Sequence, residues 1–202
     1  MRGSLHGRDR LTPRLLMRPF RRRDVEPLLD AVHASIPELR RWLPWAHPKY
    51  GRSDALRFIR ESSAAWSEGR AYDFVIRPRS DKGHHLGNIS VWHTSRREQA
   101  AEMGYWIRTD ETRGGVATEA AARILQLAFE ELELHRVTLR IAVGNRSSER
   151  VAEKLGFVQE GLLREEVLVR GTWLDHTLWA MLESEFRAYR DRYVEEGWLP
   201  DG

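Results

Sequence analysis

The chain has 202 residues, of which 41% are hydrophobic and 31% charged, and its formal net charge is +3. That length suits one hydrophobic core with a short tail. The absence of cysteine rules out disulfides, thiolate zinc sites and a cysteine nucleophile. No run approaches the roughly 18 apolar residues of a membrane span. The basic, polar start of the chain carries no apolar secretory stretch. A cytoplasmic location is therefore expected, with residues 1–11 as a flexible lead-in. The basic clusters at 18–23 and 77–82 read as solvated faces or as seats for an anionic partner. They are too sparse for a dedicated nucleic-acid stripe, and no nucleic-acid partner is expected.

A first strand is predicted over 15–18. Asp24 is placed to cap a helix whose apolar stripe is Val25, Leu28, Leu29 and Val32. Pro37 is expected to open a second helical piece over 38–43. Ser53 or Asp54 starts the next helix, which ends at Gly69. Strands follow over 74–76 and 86–92, joined by a polar hairpin turn, and another over 102–108. The strongest helical pattern runs over 118–134, where apolar residues recur at three- and four-residue steps. A strand over 136–143 precedes a short helix opened by Ser147 or Ser148. Gly156 stands where a left-handed C-terminal cap belongs. Strand-like pieces over 157–161, 167–169 and 173–181 precede a tail over 183–202 that can form a helix. This order is a mixed α+β domain with a largely antiparallel sheet. The strands flanking the long helix would pair in parallel through a right-handed crossover.

The chemistry-bearing segment is Thr112-Arg113-Gly114-Gly115-Val116-Ala117-Thr118, between a strand and the long helix. Small residues let backbone approach a ligand. A helix start offers unpaired N–H groups and a positive dipole end, which together make a phosphate seat. Alone, the Gly-Gly turn is equally compatible with a plain tight turn. No Gly-Lys-Ser/Thr ending or G-x-G-x-x-G spacing is present.

The second constellation, Asn145-Arg146-Ser147-Ser148 through Leu155-Gly156-Phe157, follows one strand later. With Thr12-Pro13-Arg14-Leu15, Arg18, Glu102-Met103-Gly104-Tyr105-Trp106-Ile107 and the Gly115 segment, it resembles the GNAT acetyltransferase superfamily. The likeness is nearer to its RimJ/RimL branch of ribosomal-protein N-terminal acetyltransferases, and spans residues 12–182. The resemblance implies a GNAT fold: one mostly antiparallel sheet splayed at its centre, with helices on both faces. It also implies acetyl-CoA as cofactor. The pantetheine arm would lie in the V beside Ile107 and Arg108. The pyrophosphate would sit on the amides of Arg113, Gly114, Gly115, Val116, Ala117 and Thr118, and Asn145 would bond the pantetheine.

Two departures from the family pattern matter. Thr112 stands where many members carry Gln or Arg, and Ala152 where many carry a Tyr that protonates the departing thiolate. In a direct attack the protein supplies proximity and modest acid–base help. Glu102 is the expected base, with Glu160, Glu165 and Glu166 as competitors. Ser148 is the expected acid, with an N-cap role equally open to it and Tyr105 as a substitute. His84 and His85 are read as exposed loop residues, and Asp175 and His176 as holding a turn, so no metal is expected. Trp42, Trp45, Trp92 and Tyr105 are expected to border the acceptor cleft, although core packing accounts for any one tryptophan as well. The expected reaction is acetyl transfer to a primary amine, foremost a protein's N-terminal α-amine. A small-molecule or antibiotic amine, or a non-catalytic acyl-CoA-binding regulator, remain alternatives. A homodimer is a family-level expectation only.

Overall fold

The computed structural model describes residues 9–201. Strands β1 (Arg10–Leu11) and β2 (Leu15–Pro19) lead into helices α1 (Val25–Leu39) and α2 (Arg52–Ser67). A meander of β3 (Ala71–Pro78), β4 (Gly87–Ser95) and β5 (Ala100–Ile107) follows. Helix α3 (Val116–Gln126) then crosses to β6 (Arg136–Ala142). The chain finishes with α4 (Arg146–Leu155), β7 (Val158–Val169), β8 (Thr172–Leu182) and α5 (Glu183–Glu195). The described strands form one sheet in the order β1-β2-β3-β4-β5-β6-β8-β7.

Alternation along the strands sorts side chains to the two faces. Phe74, Ile76, Ile89, Val91, Met103, Val137 and Leu139 join Ile124, Leu125, Leu155 and Phe186 of α3, α4 and α5 in the main core. Val75 and Trp106 point the other way, into a second core built by α1 and α2. The crossover through α3 gives the one parallel pairing of the described sheet, β5 with β6. It holds for only three residue pairs, from Ala100↔Arg136 to Glu102↔Thr138. Beyond Glu102 the two strands part, and the sheet opens at its centre.

Several expectations change. Arg10 and Leu11, placed in the flexible lead-in, pair with Met17 and Leu16, and Arg10 reaches Glu131; residues 1–8 lie outside the described residues. Helix α1 runs through Pro37, so the second helical piece does not form. Near the C-terminal end a missing N–H removes a single helix bond. Asp24 does not cap α1 with its side chain. Its carboxylate instead bridges Arg18 and Arg77 and accepts the Arg21 amide. Arg18 and Arg77 are therefore buried rather than solvated. The long helix is shorter than its apolar pattern, passing after Gln126 into a π-helical turn where Phe129 stacks on Phe186. The pieces at 157–161 and 167–169 are one strand, β7, kept continuous across two irregularities. Asp175 and His176, expected to hold a turn, lie within β8 instead, where Asp175 accepts the Glu165 amide at one of these irregularities. The tail helix is part of the core, since Phe186 and Tyr193 are fully buried.

Candidate active site

The turn before α3 is shaped by backbone conformation. Arg113 has φ +69° and Gly115 φ +77°, both left-handed, so consecutive amides turn toward one concavity. Among the described residues, the amides of residues 113–118 donate to no protein acceptor; the first bonded one is Glu119, to the Gly115 carbonyl. These free N–H groups, with the positive end of α3, form an anion seat.

The seat opens onto a cleft of about 470 Å³ along the parted strands. One wall carries Ile107, Arg113, Gly115, Val116, Ala117 and Thr118, and the opposite wall Asn145, Ser147, Ser148, Arg150 and Lys154. Arg150 and Lys154 add cationic charge that the sequence reading did not single out; their signal was the helical spacing from Ser147. Arg108 and Gly114 stand just outside the lining. The Arg108 guanidinium is held by Asp30 and Asp110, and the Gly114 carbonyl accepts from Arg14. Asn145, not a serine, caps α4: its side-chain oxygen accepts the Ser148 amide at 3.3 Å. The short helix thus begins with an asparagine cap, and the Ser148 hydroxyl donates to no protein group among the described residues. Ala152 is on the buried face of this helix and offers no proton. Thr112 lines the cleft, but its hydroxyl donates to the Thr109 carbonyl.

A second cleft, of about 450 Å³, lies between the sheet and α1–α2. Trp45, Tyr50, Phe58, Trp92 and Trp106 give it aromatic walls, and its polar groups include Asn88, Ser90, His47, Glu61 and the Asp54–Arg57 pair. A Cβ on Gly104 would meet the Trp92 ring at 3.1 Å, so this glycine lets Trp92 lie flat over β5. The two clefts share Leu43, Tyr105 and Trp106. Tyr105 stands at that junction, and its hydroxyl donates to the Ser148 carbonyl at 3.4 Å. Burial raises its pKa, keeping the phenol protonated.

Of the expected acceptor residues, Trp45, Trp92 and Tyr105 line this second cleft, while Trp42 lines the first and bonds Glu38. Glu102 borders neither cleft. It sits at the closed end of the parted strands, paired across β4 with Trp92, and its carboxylate meets Arg140 at 2.7 Å. Glu160 is engaged by Arg136 and Glu166 by Arg140. His84 pairs with Glu111, but His85, expected to be exposed, is buried. It stacks on Trp106 with centroids 5.9 Å apart and meets Asn88 Oδ1 at 2.7 Å. Burial pushes its pKa down to about 4, against the weaker upward pull of the Asn88 hydrogen bond, so the ring is neutral near pH 7. Two adjacent histidines in a polar loop gave no sign that one would turn inward.

Residues 14–158 match the acetyltransferase (GNAT) domain. The N-acetyltransferase YdaF of Bacillus subtilis (strain 168) is 38% identical over 104 residues, 52% of this chain and 57% of that protein. The match thus spans little more than half of that relative's length. The ribosomal-protein-serine acetyltransferase of Escherichia coli (strain K12) is 23% identical over 158 residues, 78% of this chain and 87% of that protein. Among solved structures, Mycobacterium smegmatis RimJ in complex with CoA-disulfide superposes with a TM-score of 0.81 at 28% identity, covering 91% of this chain and 89% of that one.

Proposed function

The chain belongs to the GNAT acetyltransferase family, and from that premise we propose that it moves the acetyl group of acetyl-CoA onto the N-terminal α-amine of a protein. The carrying observation is the junction at Tyr105, where a cleft with a free-amide anion seat meets a second, aromatic cleft. The seat suits a pyrophosphate, and Arg113, Arg150 and Lys154 suit further phosphate charge. Asn145 and the unpaired edge of β5 beyond Glu102 suit an extended amide-bearing arm. Acetyl-CoA supplies an acetyl thioester, and the protein holds it beside the amine.

The nitrogen–carbon bond forms as the carbon–sulfur bond breaks. The ammonium must lose a proton before attack, and the departing thiolate must gain one. In this reading Ser148 Oγ, unspent on its own backbone, gives the second proton. Glu102, on the same sheet face as Gly104 and Trp106, receives the first through water beyond Trp92. The likeness to ribosomal-protein acetyltransferases favours a protein acceptor. Glu61, which makes no ion pair among the described residues, favours a second reading, a polycationic small amine, whereas Asp54 in the same cleft is paired with Arg57.

The test is an acetyl-transfer screen over N-terminal peptides, polyamines and aminoglycosides, read by thiol release and by the position of the acetyl group in mass spectra. Acetylation at peptide α-amines supports the proposal. Turnover with polyamines or aminoglycosides and none with peptides overturns it.

A further inference from the structure

Asn88 is a polar side chain set into an apolar floor. It lies on β4 directly across from Trp106, borders the second cleft, and is 6% exposed. Its amide has a fixed orientation. His85 is itself 2% exposed, wedged between Phe20 and Trp106, with its Nε2 against Asn88 Oδ1. A neutral imidazole has one N–H. Here it is spent on the asparagine oxygen, and Nδ1 is left as a buried lone pair without a partner. With Oδ1 occupied, Asn88 presents its amide nitrogen to the cleft, where it donates to nothing among the described residues. This nitrogen faces the cleft rather than the sealed core, so a ligand carbonyl that displaces water there meets a donor already oriented.

We propose that Asn88 reads the acceptor: its side-chain N–H donates to the first carbonyl oxygen of a peptidyl substrate, making the substrate class an α-amino amide rather than a simple amine. The inference rests on the second cleft being the acceptor cleft. A polyamine offers no oxygen to this donor, and the positive end of an N–H dipole opposes an ammonium. A peptide N-terminus carries its first carbonyl two bonds from the reacting nitrogen. Asn88 lies one register position along β4 from Ile89, the partner of Tyr105. The imidazole acts through Asn88, as a positioning residue that locks the amide.

The test compares a short peptide with its trans-alkene isostere, in which a carbon–carbon double bond replaces the first amide and removes its carbonyl and N–H together; the Asn88 variants isolate the part that belongs to the carbonyl. Wild type is expected to favour the peptide by about tenfold in kcat/KM, the size of one well-made hydrogen bond. Asn88→Ala and Asn88→Asp should bring the two substrates within about twofold of each other. Acetyl-CoA affinity by thermal shift should stay unchanged. Asn88→Asp keeps the oxygen that His85 requires, so it reads the missing donor even if Asn88→Ala folds poorly. Equal turnover of both substrates by wild type, or a preference that survives in the aspartate variant, overturns the role of Asn88 alone. Turnover of polyamines with none of either peptide overturns the peptide-acceptor reading with it.

Discussion

Arg14 holds Glu119 across 105 residues of chain: its Nε lies 2.6 Å from a carboxylate oxygen that the fold has removed entirely from water. The other oxygen takes the Arg14 amide and the Thr12 hydroxyl, and a second arginine nitrogen donates to the Gly114 carbonyl. The turn between β1 and β2 thereby clamps the anion-seat turn against the first turn of α3.

Removing the carboxylate should loosen both. Glu119→Ala is expected to lower unfolding free energy by roughly 3 kcal/mol, from three charge-assisted bonds lost at a buried site. It should also weaken acetyl-CoA binding. Urea titration and a coenzyme-dependent thermal shift report the two effects; wild-type behaviour in both would show that the clamp has no such role.

The left-handed backbone at Gly115 is the second lever on the seat. Gly115→Ala places a Cβ at φ +77° and 3.3 Å from the Arg14 guanidinium. A cost of about 1–2 kcal/mol and a raised KM for acetyl-CoA are expected. At Gly114 the nearest atom to a new Cβ is 3.9 Å away, so Gly114→Ala should fold normally. Equal loss of stability in the two variants would contradict this account.

Asp24 stands between two buried guanidiniums. Burial alone would raise its pKa, but hydrogen bonds from Arg18 and the Arg21 amide, with the charges of Arg18 and Arg77, outweigh it and hold the carboxyl below 3.8. The folded pKa is depressed. The stabilisation is therefore complete above the unfolded value and is lost as pH falls through the folded one. Asp24→Asn should cost about 3 kcal/mol at neutral pH by leaving both arginines without their counter-ion. Its unfolding curve should also lose part of the wild-type acid dependence below pH 3.8.

His85 loses stability in the same direction of pH, but from a folded form that is neutral rather than charged. Its folded pKa of about 4 lies below the ordinary 6.5, so the unfolded chain binds the extra proton. Stability should therefore fall as pH drops from 6.5 toward 4, by on the order of 3 kcal/mol in total. His85→Gln, which keeps a donor for Asn88, should flatten that slope. Identical pH profiles of melting temperature for the two proteins would refute the burial argument.

The proton roles separate by kinetics. Ser148→Ala should lower kcat by about 10²-fold and leave acetyl-CoA affinity intact, as loss of a general acid does. Glu102→Gln should lower kcat as well. If Glu102→Gln keeps full kcat while Glu61→Gln does not, the ammonium proton leaves through the acceptor cleft instead.

Local signals carried the architecture. Three- and four-residue spacing located α3, Gly156 marked the end of α4, and the strand–helix–strand order implied the parallel pair at the centre of the sheet. The Arg113 to Thr118 turn was legible because free amides follow from backbone position alone. What stayed hidden depends on tertiary partners. Asp24 looked like a helix cap until β3 brought Arg77 to it. His85 looked like a loop residue until Trp106 gave it a face to stack on. Asp54 and Glu61 share α2, but nothing in the sequence announces that Asn88 of β4 joins them at one cleft. Glu102 was placed correctly on its strand, but its Arg140 partner comes from β6 across the parting.

The three-pair seam between β5 and β6 gives the sheet an edge in its interior. Exposed strand edges invite other chains to add themselves, and proteins commonly blunt them with charges or prolines. Here the unpaired stretch lies sunk between the anion-seat turn and α4, where a folded strand from a neighbour has no room to enter. Only something thin, extended and rich in amide groups can lie against it. The same gap that could nucleate aggregation on an outer strand acts, in this position, as a filter on what the protein accepts.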